Sequence, residues 1–139
     1  MYAITYNTKM YVKKERVNFI TVLGKKAEYQ NTPVTIIIDG EMLDVRFHVI
    51  DSGYGKRSRE YQIDRAELDS CEYSIELHCI RIYGNIKIQE YDSSDKKGEN
   101  VLRAIERKQD MYLYTETLEE EKIVENIRRW AGTAWTEMQ

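Results

Sequence analysis

The chain has 139 residues, 42% hydrophobic and 32% charged, with a formal net charge of −3. That length matches a single domain over residues 1–139, large enough to bury its core without a metal or disulfide staple. No apolar run approaches the roughly 20 residues needed to cross a bilayer, and the N-terminus MYAITYNTKMYVKKER lacks the basic-then-apolar order of a signal peptide, so a cytoplasmic protein without membrane contact is expected.

Charge is unevenly spread. Residues 1–63 carry 10 Lys and Arg against 7 Asp and Glu, whereas residues 64–139 carry 11 against 17. An acidic C-terminal half argues against a simple nucleic-acid coat protein. Eleven tyrosines against two phenylalanines point to a sheet whose aromatics keep wet edges, or to a binding surface. Cys71 and Cys79 are too far apart for a Cys-x-x-Cys pair, and both are expected to be reduced, with Cys79 in the core.

In chain order, Tyr2 to Tyr6 alternates with period two, and Met10 and Val12 extend the pattern into a first strand. Residues 17–29 read as a strand to Leu23 in preference to an amphipathic helix continuing through GKKAEYQ, and both remain open. In PVTIIIDGEMLDVRFHVI, Asp39-Gly40 separates two apolar runs and predicts a type I′ hairpin pairing Ile38 with Glu41. Val34, Ile36, Ile38, Leu43, Val45, Phe47 and Val49 then form the core face, and His48 is a half-exposed strand histidine on the other. Asp64 can cap a short helical turn in DRAELDS.

The longest strand-like run is Glu72 to Tyr91, read as a hairpin turning at Tyr83-Gly84-Asn85 that pairs Ile82 with Ile86 and sets His78 opposite Glu90. Its apolar phase switches between Cys79 and Ile80, implying a bulge or a sheet covered on both faces. Ser94 or Asp95 can cap a helix running to about Lys108, with Val101, Leu102 and Ile105 as its stripe. A last strand spans Met111 to Thr115. Thr117-Leu118-Glu119-Glu120 fits a capping box for a C-terminal helix whose buried stripe is Ile123, Ile127 and Trp130 and whose stop is Gly132. The fold expected is α+β: an antiparallel sheet of about five to seven strands built from hairpins, with a C-terminal helix and a shorter helix packed on one face.

No nucleophile elbow, phosphate loop, zinc-protease helix or dinucleotide fingerprint occurs, and lysines in DSSDKKGEN stand where calcium ligands would be needed. Neither a catalytic residue, a cofactor nor a metal is expected, although scattered carboxylates could still meet in space. The positive candidate is Gly53-Tyr54-Gly55-Lys56-Arg57-Ser58-Arg59. Its glycines let amides approach an anion, Lys56, Arg57 and Arg59 supply charge, and Tyr54 could stack on a base. An ordinary solvated turn fits the same residues. Arg103 and Arg107, four apart on the expected helix, make a second phosphate clamp, or else pair locally with Glu99 and Glu106.

Two functions follow. One is a non-catalytic protein binding a small anionic ligand such as a nucleotide, cyclic nucleotide signal or short nucleic acid. The other is an interaction or inhibitor module docking on a protein partner through the acidic half, with Trp135 beyond the helix stop as its clue. Small size, a Lys/Glu/Tyr-rich make-up and the lack of catalytic motifs resemble, in type only, phage anti-defence proteins, including sponges for nucleotide signals. A homo-oligomer is expected.

Overall fold

The structure, a computed structural model, describes residues 3–13, 29–52, 55–115 and 120–138. Eight strands join one sheet: β1 (Ile4–Lys13), β2 (Tyr29–Asp39), β3 (Met42–Ser52), β4 (Gly55–Asp64), β5 (Leu68–Ser74), β6 (Cys79–Asp92), β7 (Arg103–Tyr114) and β8 (Trp135–Met138). Strands β1 to β4 form an antiparallel meander. A short 3-10 turn, Arg65–Glu67, then carries the chain from β4 into β5, and Asp64 Oδ1 caps it by accepting from the Ala66 amide at 2.9 Å. Both β4 and β5 pair with β6, β4 against residues 87–92 and β5 against 79–84, while β7 pairs with residues 79–90 and β8 runs parallel to β5. Cα atoms of β1 and β7 come within 8 Å of each other, so the sheet curls.

One helix, α1 (Glu120–Ala131), lies in that curl. Its acidic first turn and basic last turn both suit the helix dipole, and Ile123, Ile127, Trp130 and Ala131 are its buried stripe. They pack with Val34, Ile36, Leu43, Val45, Ile63, Ile80, Ile82, Ile86, Met111 and Leu113 into one core. Both ends are tied down. Trp130 Nε1 donates to the Glu41 carbonyl at 2.9 Å, and the Glu120 carboxylate accepts from Tyr73 Oη at 3.2 Å and Thr115 Oγ1 at 2.9 Å and faces His78 Nδ1 at 2.9 Å. No helix among the described residues is long and apolar enough to cross a membrane.

Several expectations change. The β2–β3 hairpin pairs Ile38 with Leu43, so its turn is Gly40-Glu41, with Gly40 at φ +60° in the first central position, as a type II′ turn requires. That slip of two residues in register leaves every side chain on its expected face as far as Phe47. A bulge between Phe47 and Ile50 then puts Ile50, in place of Val49, into the core.

No turn occurs at Tyr83-Gly84-Asn85, because β6 runs straight through. A Cβ on Gly84 would stand 2.3 Å from the Glu67 carbonyl oxygen and 3.1 Å from Leu68 Cα. The glycine serves close passage of the 3-10 turn, not chain reversal. Reversal happens at Ile75–His78, where His78 takes φ +49° and its carbonyl accepts from the Thr115 amide at 2.7 Å. The phase switch follows from this: Ile75 and Leu77 are exposed turn residues, and the core register begins at Ile80.

The expected helix from Ser94 to Lys108 is also absent. Residues 93–102 are turns and loop, and 103–114 are β7. Asp95 caps, but what it caps is a loop: its carboxylate accepts from the amides of Gly98, Glu99 and Asn100 at 2.9–3.2 Å. Likewise Gly55–Arg59 is strand and not loop. Trp135 lies in β8, its ring 5.7 Å from Tyr73, so it is part of the sheet and not a free tail. Residues 17–28 and Thr117 lie outside the described residues.

Because the atom that Gly84 abuts is backbone, Gly84→Ala forces the β4–β5 connection to move. We expect it to lower stability by about 2 kcal/mol, measured by urea unfolding. A change below about 0.5 kcal/mol would mean that residues 65–68 do not pass over Gly84 as described.

Candidate functional site

Strand register determines which basic residues meet. Across β4, β6 and β7, Arg59 pairs with Glu90 and Glu90 with Arg103; the next row on this face is Tyr61, Ile88, Ile105; and in the row after that Ile86 faces Arg107. Side chains two residues apart share a face, so Arg103, Ile105, Arg107 and Gln109 project to the same side as Met111 and Leu113. That side carries the core. Where α1 does not cover it, these residues line a cleft of about 260 Å³, open to solvent.

Glu90 organises the cleft. It is only 6% exposed, and its two oxygens receive Arg59 Nη2 and Arg103 Nη1, each at 3.2 Å. The two arginines differ in burial: 10% of the Arg59 side chain and 59% of the Arg103 side chain are exposed. Arg59 is thus a fixed wall, whereas Arg103 offers its remaining N–H donors outward. Arg107 is exposed and has no carboxylate or other acceptor among the described residues. Gln109 beside it donates Nε2 to the Ile86 carbonyl at 2.7 Å. Asp110 touches the rim, yet its carboxylate is held by Arg81 at 2.8 Å on the other face. Among the described residues that line the cleft, three guanidiniums therefore confront Glu90, the one acid whose carboxylate meets any of them.

Of the six residues singled out in the sequence, Arg59, Arg103 and Arg107 come together. Arg57 shares their face one step along β4 and stands 3.7 Å from Asp92. Lys56 alternates to the opposite face and is exposed, and Tyr54 lies outside the described residues. Arg103 and Arg107 do form a pair, but on a strand, and neither meets Glu99 or Glu106. Sequence reading missed Tyr61, Glu90 and Gln109. Tyr61 was within reach, being two residues beyond Arg59 on a strand; Glu90 was hidden by the misplaced hairpin.

The opposite face holds a second polar cluster, of a different kind. The Arg46 guanidinium stacks 4.9 Å from the Tyr91 ring centre, donates to Ser58 Oγ at 2.7 Å and reaches the Asp95 carbonyl. Tyr91 Oη donates to Glu60 at 3.3 Å, and Gln62 Nε2 donates to Asp44 at 2.9 Å. This cluster pins the 92–100 loop. Burial, followed by a hydrogen bond to Asp44 and that residue's charge, pushes the Glu60 carboxyl up to about 7, against the smaller opposing pull of Tyr91 and Arg46. His48, whose Nε2 lies 2.7 Å from Thr35 Oγ1, is pushed down by burial and by Arg46 and Lys96.

A carboxyl with a raised folded-state pKa contributes stability that is complete below its unfolded value, near 4.5, and lost as pH climbs through about 7. The protein should accordingly be more stable at pH 5.5 than at pH 8, by about 1–2 kcal/mol after allowing for the solvent screening of a half-exposed group, and melt higher there. Glu60→Gln should flatten that dependence and melt higher than the parent at pH 8. An unchanged pH profile in the variant would assign the effect to other groups.

Glu90→Ala should cost about 3 kcal/mol, since it removes the buried carboxylate that meets the buried Arg59 charge at 3.2 Å. Thermal melting in parallel with Arg103→Ala, which removes only an exposed partner, checks this. Equal losses in the two variants would contradict the ranking.

Comparison with protein-family models, with curated proteins and with solved structures finds no match, so the site's own geometry carries the functional reading.

Proposed function

We propose that this protein binds a small phosphate-bearing ligand without transforming it, and that Arg103 and Arg107 provide the anion contacts. What carries this is the convergence of Arg59, Arg103 and Arg107, from strands distant in sequence, on a cleft in which Glu90 is the one described acid whose carboxylate meets any of them. Guanidinium groups suit phosphate because their forked N–H donors match its oxygens. The row of Tyr61, Ile88 and Ile105 between the cations adds an aromatic edge and an apolar floor for a sugar or base. Glu90 positions two of the three arginines through contacts of 3.2 Å, which reduces the ordering cost of binding.

No described cluster in this cleft pairs a nucleophile with a base, and the reading is one of capture. A role as a sink for nucleotide signals, of the phage anti-defence type, fits a site of this chemistry. A nucleotide panel screened by thermal shift and titration calorimetry near physiological salt tests it. At least one phosphate-bearing ligand should raise the melting temperature, and the double variant Arg103→Ala/Arg107→Ala should weaken it by at least about tenfold, each charge-assisted contact being worth about 1.5–3 kcal/mol. No binding by any ligand, or equal binding by the double variant, would overturn the proposal.

A further inference from the structure

Resting on that reading, we infer that the cleft is built for a ligand with two separated anionic groups, and that Arg107 and Arg103 are unequal sites, one for each. Four residues of extended chain place their Cα atoms about 13 Å apart. Between them the face is apolar across β6 and β7, with Ile88 opposite Ile105. Drawing both guanidiniums onto one phosphate would require them to lean over that row toward each other, against their mutual repulsion. Two anions, one at either end, need no such movement.

The inequality comes from Glu90. The Arg103 charge is already partly met by a buried carboxylate at 3.2 Å, whereas Arg107 has none among the described residues and Gln109 stands beside it. A lone phosphate therefore goes to Arg107. Arg103 gains its role only when a second anion is tethered to the first, because tethering makes the second contact intramolecular and raises its effective concentration. Arg59, held by the other oxygen of Glu90, positions Arg103 and does not itself reach the ligand. The ligand class is thus a short chain of phosphates spaced by nucleoside or similar ring-bearing units, not a compact mono- or pyrophosphate.

Adenosine monophosphate and the 5′-phosphorylated triadenylate pApApA, whose first and last phosphates are separated by two nucleoside units, distinguish the possibilities. Titration calorimetry of the full chain, with melting curves confirming that each variant folds, should give pApApA at least about tenfold tighter than the monophosphate. Arg103→Ala should abolish that advantage and weaken monophosphate binding less than Arg107→Ala does, whereas Arg107→Ala should weaken both ligands by at least about tenfold. Equal affinity of the two ligands for the parent, or monophosphate binding that falls as much in Arg103→Ala as in Arg107→Ala, overturns the two-anion inference while leaving phosphate binding standing. No binding of either overturns both.

Discussion

Glu90 is a carboxylate placed in the middle of a sheet, on the face that elsewhere builds the core, and the open end of the molecule depends on it. An ion this buried is sustained only by partners, and register provides one on either side: Arg59 on β4 and Arg103 on β7. The triad joins three strands at the end of their inner face where α1 does not line the cleft. It turns what would be an exposed apolar surface into an ordered, positively charged cleft.

The face as a whole is divided in two. Toward the Cys79 end of β6, Ile80 and Ile82 pair with Leu113 and Met111 and are sealed by α1. Toward the other end the same alternation presents Arg107, Ile105 and Arg103, and the helix is no longer above them. Hydrophobic burial holds the first half together, and ion pairing preorganises the second. The reverse face differs again, since Arg46, Tyr91 and Glu60 are joined in a network that holds the 92–100 loop.

Much of the frame was legible because local chemistry and tertiary context agree. Asp64 caps the turn it was expected to cap, the two strands around Gly40 keep their expected faces, and α1 buries Ile123, Ile127 and Trp130. The failures have a common origin. Only the end of β7, from Met111, read as a strand; residues 103–110 did not, because Arg103, Arg107 and Gln109 occupy core-face positions and break the period-two signal where the cleft lies. Gly84 imitated a turn because close backbone approach and chain reversal both select glycine. Three of the six candidate binding residues were nonetheless assembled in one place, since charge and donor geometry are properties of the residue whichever element carries it. What brings them together, the pairing of β4 and β7 with β6, is nonlocal and leaves no mark in either segment.

The most direct measurement is an arginine side-chain NMR titration, following the Nε–Hε signals as a phosphate-bearing nucleotide is added to the full chain. The signals of Arg103 and Arg107 should shift in a saturable way, while those of Arg46 and Arg81 on the opposite face stay in place. Saturable shifts at Arg46 or Arg81 with Arg103 and Arg107 unmoved, or no saturable shift at any arginine, would contradict the assignment of this cleft as the binding site.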